Sequence, residues 1–216
     1  MRHYLLIISL LIISCNNGLK KISKSDIGTV SKRQTKYVAK EEIELLEYFT
    51  DSTIIGRPNK NKIELSHFRN PDSGYVVIHF YAKSNENKWL LKQEFSFLKD
   101  EISGCFTELS DFNNDGYKDL TYKSAIAARG ANDVRNLFIY DKIKDQLTYI
   151  KNSENYPNML YNKELDCIDA FLVHGGCTTV FLKIELDSLK EFASVDLSDK
   201  INIQLVDKNG DRTYLV

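Results

Sequence analysis

Apolar and polar residues alternate in short runs along most of the chain, and turn signals bound each run. That is the signature of half-buried strands. Nine segments carry it: 62–68, 75–82, 89–97, 120–127, 136–140, 167–173, 178–186, 192–197 and 201–206. Between them lie Asn70-Pro71-Asp72-Ser73-Gly74, Ser84-Asn85-Glu86-Asn87, Asn114-Asp115-Gly116, His174-Gly175-Gly176 and Lys208-Asn209-Gly210. Asn-Gly and Gly-Gly pairs accept the positive φ that tight hairpin turns need, and strands joined by such short turns run antiparallel. Segment 41–49 has a different rhythm. Ile43 and Leu46, with Leu45 and Phe49, fall at helical spacing, and Glu41 and Glu42 at its start suit a helix dipole. The chain is therefore expected to be mainly β: a single antiparallel β-sheet domain, sandwich-like or a highly twisted meander, with one N-terminal helix and a loop hairpin at 111–119. No unit of about 40 residues repeats, which weighs against a complete propeller.

The first residues follow another pattern. After the basic start Met1-Arg2-His3, residues 4–13 are apolar except for Ser9. A bilayer span needs about twenty apolar residues, so this run is too short and has the length of a signal-peptide core. It ends at Ile12-Ile13-Ser14-Cys15, which resembles the lipobox of bacterial lipoproteins. Residues 1–14 are then a signal peptide and Cys15 is the lipidation site. The alternative is a conventional leader cut near Ser14, with Cys15 an ordinary thiol. Two or more acyl chains hold a protein on a membrane stably where one does not, so the three that a lipobox implies make a lasting anchor. Residues 15–37 form a flexible, lipid-anchored tether, with Lys20, Lys21, Lys24, Lys32, Arg33 and Lys36 against Asp26 alone. A chain of this kind reaches on the order of 25 Å. Residues 38–216 are left as the β-rich domain. The absence of an acidic cluster after Cys15 favours the periplasm over the cell exterior. The expected location is the bacterial cell envelope, on the outer membrane facing the periplasm.

Composition adds one exclusion. Lys and Arg number 29 against 30 Asp and Glu, so there is no concentrated basic face of the kind a nucleic-acid partner requires. The 12 Tyr and 11 Phe favour strands, where aromatic rings fit a pleated surface.

The segment Asp111-Phe112-Asn113-Asn114-Asp115-Gly116-Tyr117-Lys118-Asp119-Leu120 carries the strongest chemical motif. Oxygen-bearing side chains fall at its first, third, fifth and ninth positions: Asp111, Asn113, Asp115 and Asp119. Calcium takes six to eight oxygens, and the carbonyl of Tyr117 supplies a further one. Gly116 permits the sharp turn. Without a cation three carboxylates would crowd and repel. The segment is not an EF-hand, because its twelfth position is Tyr122 and its exit is a strand. An acidic turn without metal is the alternative. A second acidic turn, 207–211, lacks the spacing and is expected to be an Asn-Gly hairpin.

Cys105, Cys167 and Cys177 remain in the body. With Gly175-Gly176 as a two-residue turn, Cys177 lies opposite His174, seven residues along the strand from Cys167. That is roughly 20 Å or more, too far for a bridge. Any disulfide would involve Cys105, and three unbridged thiols are the alternative. His67, His79 and His174 stand singly, with no ligand-spaced partner, nucleophile elbow or P-loop nearby. The chain is expected not to be an enzyme.

From Leu109 to Val195 the order of features resembles a family of periplasmic calcium-binding lipoproteins related to invertebrate-type lysozyme inhibitors. The features are the loop 111–120, Arg129-Gly130-Ala131-Asn132, the aromatic strand 137–141, Tyr156-Pro157-Asn158, the Gly175-Gly176 hairpin and the strand 180–186. The loop also resembles those of FG-GAP and VCBS propeller repeats, of which this chain has one copy. The resemblance implies calcium at Asp111, Asn113, Asp115, Tyr117 and Asp119, and a role as an inhibitor or immunity protein against a peptidoglycan hydrolase. It identifies no inhibitory loop here. The alternative is a structural or surface-assembly envelope lipoprotein in which calcium serves folding only. Partners would be the membrane, through the lipid, and a cell-wall hydrolase or other envelope protein.

Overall fold

The computed structural model describes residues 43–215; the leader, Cys15, the tether, Glu41 and Glu42 lie outside them. Among the described residues fourteen strands form three sheets, and within each sheet consecutive strands pair as neighbours. The first sheet holds β1 (Glu44–Asp51), β2 (Asn61–Arg69), β3 (Gly74–Lys83) and β4 (Trp89–Lys99). The middle sheet holds β5 (Glu108–Ser110), β6 (Asp119–Ala127), β7 (Asn132–Asp141) and β8 (Gln146–Tyr149). The third holds β9 (Met159–Asn162), β10 (Cys167–Val173), β11 (Cys177–Glu185), β12 (Ser188–Asp196), β13 (Asn202–Val206) and β14 (Arg212–Leu215). Every pairing between these strands is antiparallel. All nine segments of alternating pattern are strands.

Two expectations are corrected. The sheet is not single but threefold. A strand apolar on both faces must be covered on both, and β7 is such a strand. Its Phe138 and Tyr140 pack with Ile63, Leu65, Val76, Ile78 and Phe80 of the first sheet. Its Leu137 and Ile139 pack with Met159, Ile168, Ala170, Val180 and Leu182 of the third. The middle sheet therefore lies between two apolar cores, and the meander breaks at the connections 100–107 and 150–158 to wrap it.

Nor is there an N-terminal helix over the described part of 41–49, which is β1. A β-bulge explains the helical spacing: Leu45 pairs with Phe68 and Glu47 with His67, so Leu46 is an extra residue. An inserted residue shifts the alternation from two to three at that point, and Leu46 and Phe49 then imitate one face of a helix. The two helical turns among the described residues, Ala128–Gly130 and Ser153–Asn155, are short 3-10 turns. No described helix is long and apolar enough to cross a membrane.

Two hairpins position later details. The β10–β11 loop has three residues, since Val173 rather than His174 faces Cys177, and Gly175 takes φ +95° there. The turn 207–211 closes the β13–β14 hairpin, with the Gly210 amide donating to the Asp207 carbonyl at 3.0 Å.

Candidate functional site

The loop 111–119 leaves β5 and enters β6, folded by its own side chains. Asp111 Oδ1 accepts the Asp115 amide at 3.2 Å and Oδ2 the Gly116 amide at 2.9 Å. Asn113 Oδ1 accepts the Asp115 amide at 3.2 Å, and Asp115 Oδ1 the Tyr117 amide at 3.0 Å. These oxygens thus turn inward against the loop backbone, and Asx contacts of this kind fix tight turns. Asn114 and Gly116 take φ of +55° and +86°, the left-handed region that Asn tolerates and Gly adopts freely.

Asp119 is the pivot. It is fully buried. Its Oδ1 accepts the Tyr140 amide of β7 at 2.8 Å, and its Oδ2 the Phe112 amide at 2.8 Å. One side chain thereby joins the loop's second residue to the middle strand of the protein. Burial pushes the Asp119 carboxyl up to about 7; the Tyr140 and Phe112 amides pull against that rise, and Asp115 and Asp111 add to it.

Surrounding residues hold the loop in place. The Gly56 amide donates to the Lys118 carbonyl at 3.1 Å. The Tyr117 ring packs on Tyr140, centroids 5.5 Å apart, and Lys142 Nζ stands 4.0 Å from Asp115 Oδ2. A cleft of about 160 Å³ opens beside Phe112 and Asn113, bordered by Tyr161, Asp166 and Lys183.

Fit to calcium can be judged from these donors. All are oxygens, three of them carboxylates, as a hard cation prefers, and Asp119 is buried beside two further acids. Binding would require Asp111 and Asp115 to draw in. Among the described residues, the carboxylate, imidazole and thiol ligand atoms that all fall within 4.8 Å of one another are those of Glu47, His67 and Cys105 rather than the loop aspartates. That trio was not legible in the sequence, where its members are 20 and 38 residues apart. Cys105, Cys167 and Cys177 are all free. His79 meets Glu94 at 2.9 Å and His174 meets Thr178 at 2.8 Å.

No protein-family model matches the chain, and no curated protein matches it. The solved structure of a Xanthomonas type IV secretion system related protein superposes with a TM-score of 0.50, at 10% identity, over 78% of this chain and 93% of that one. At that identity the likeness is one of fold.

Proposed function

We propose that this chain is an envelope lipoprotein, anchored through Cys15, whose β-domain is a binding module locked by one calcium ion in the loop 111–119. We further propose that the module restrains a peptidoglycan hydrolase. The observation that carries the calcium reading is Asp119: a buried carboxylate, flanked by two more acids, that ties the loop to β7. Asp111, Asn113, Asp115 and Asp119 would hold the ion by their side chains and Tyr117 by its carbonyl. The ion would supply charge balance for the three carboxylates. The protein's own groups do the rest, since the Phe112 and Tyr140 amides fix Asp119 whether or not a cation is bound.

Support for the envelope setting comes from the lipobox pattern Ile12-Ile13-Ser14-Cys15, and the hydrolase follows from the resemblance over 109–195. The fold shared with a type IV secretion system related protein makes bacterial envelope proteins the place to search for a partner. The test adds the purified chain, in calcium or in chelator, to a panel of lysozymes and other glycosidases. Slowing of at least one enzyme in calcium, lost in chelator and in Asp115→Ala, is the expected result. If no enzyme is slowed in either buffer, the hydrolase reading fails.

A further inference from the structure

The pairing of β1 with β2 sets Glu47 opposite His67, and the connection 100–107 brings Cys105 to the same place. One ligand atom from each of the three lies within 4.8 Å of the other two. His67 is 2% exposed and Cys105 is 0% exposed. His67 Nε2 is buried and has no hydrogen-bond partner among the described residues, a costly state for a polar atom. Glu47 Oε2 accepts the Cys105 amide at 2.6 Å, which pins the carboxylate beside the thiol. We propose that Glu47, His67 and Cys105 form a zinc site.

The donor set selects the metal. Thiolate, imidazole and carboxylate together suit a borderline cation of the zinc type, whereas calcium and magnesium take oxygen alone. The charges also balance, because one thiolate and one carboxylate cancel a dication. Lys99 lies nearby with its side chain fully buried, but its Nζ donates to Ser103 Oγ at 2.8 Å and faces Asp100 at 3.7 Å. Its charge is partly offset within its own turn and still reaches His67.

Burial, and then the Lys99 charge, hold His67 below the ordinary imidazole value, against the Asp100 backbone, Glu47 and the Asp100 charge. Burial, and then Glu47, push the Cys105 thiol up to about 12. Zinc binding therefore releases one proton, from the Cys105 thiol to solvent, as the sulfur–metal bond forms. Three protein ligands would leave one coordination position for water, and Glu47 is half-buried. The metal would staple β1, an edge strand paired to β2 alone, to the connection between the first two sheets. The Cys105 carbonyl already accepts the Lys123 amide of β6 at 2.6 Å. None of these residues belongs to the loop 111–119, so the zinc and calcium readings stand or fall separately.

The test is a titration of the full chain, purified under reducing conditions, with Co²⁺ and then Zn²⁺. One equivalent of Co²⁺ should give a sulfur-to-cobalt charge-transfer band in the near ultraviolet, erased by Zn²⁺. A chain with Cys105 as its sole cysteine (C15S, C167S and C177S) should keep the band. Cys105→Ser should lose it, and His67→Asn should weaken zinc binding by at least about tenfold. Absence of the band in the sole-cysteine chain overturns the proposal, as does its persistence in Cys105→Ser. If Cys105→Ser fails to fold, the sole-cysteine chain and His67→Asn decide: no band, or unweakened zinc binding, counts against the site.

Discussion

The amide of Tyr140 donates to Oδ1 of Asp119 at 2.8 Å, so a loop residue with the spacing of a metal ligand is also a fixed joint of the β-sheet. The two roles separate by mutation. Asp119→Ala strands the Tyr140 and Phe112 amides in the interior, at about 1–3 kcal/mol each. Its melting temperature should fall in chelator as well as in calcium. Asp115→Ala removes the acceptor of the Tyr117 amide from a half-buried position and should lower the chelator melt much less than Asp119→Ala. If the loop binds calcium as proposed, calcium at about a hundred times its dissociation constant should add about 2.7 kcal/mol to the parent, and Asp115→Ala should lose that gain. Thermal unfolding of both variants with and without calcium checks this. If neither protein responds to calcium, the loop is only an acidic turn.

Two glycines should answer differently to the same change. Gly116 takes φ +86° and an added Cβ would meet nothing within 4 Å, so Gly116→Ala carries only the conformational penalty of about 1–2 kcal/mol. At Gly56, with φ +52°, an added Cβ would lie 2.8 Å from Asn61 Oδ1 and 2.9 Å from Tyr140 Cε2. Overpacking then adds about 1–3 kcal/mol to the strain. Denaturant melts should rank Gly56→Ala well below Gly116→Ala; the opposite order would contradict the packing at Tyr140.

Acid stability should depend on Asp145. Burial raises its carboxyl, but hydrogen bonds from Tyr140 and Asn61 and the Arg57 charge outweigh it and leave the group below its free value of 3.8. A carboxyl depressed in the folded state contributes stability that is present above the unfolded value and is lost as pH falls through the folded one. Asp145→Asn keeps a residue that tolerates the φ of +52° found there. It should flatten the fall in melting temperature below about pH 4. An unchanged acid limb would show that Asp145 is not a principal source of it.

Phe138 is fully buried, and its ring meets Phe95, Phe97, Tyr122 and Tyr149. Phe138→Ala should cost about 3–5 kcal/mol, read from chemical denaturation. A loss below about 1 kcal/mol would mean the surrounding aromatics collapse into the space.

Much of this structure is legible in residue order, because its strands are hairpin neighbours and alternation needs only local sequence. The segment 167–173 matches β10 to the residue, and 201–206 differs from β13 by one position. The strands that escaped are short or irregular. β5, β8, β9 and β14 have three or four residues each, too few to show a period. β1 hides its alternation behind the bulge at Leu46. The division into three sheets left no local trace either, since the connections 100–107 and 150–158 are no longer than 52–60, which joins β1 to β2 within one sheet. The loop 111–119 could be singled out because its oxygen-bearing residues lie within nine positions of one another. Glu47, His67 and Cys105 were not, because strand register and a long connection bring them together.

The placement of β7 between two cores has a consequence for how the molecule comes apart. Neither outer meander can peel away without baring one face of Leu137–Phe138–Ile139–Tyr140 to water, so loss of either sheet undermines the other. Amides of this segment should exchange with deuterium last, at a rate that reports global opening. Those of β14, whose described residues are all exposed, should exchange within local fluctuations. The protein would then unfold as a unit in which the middle strand opens last, with a fraying edge at β14.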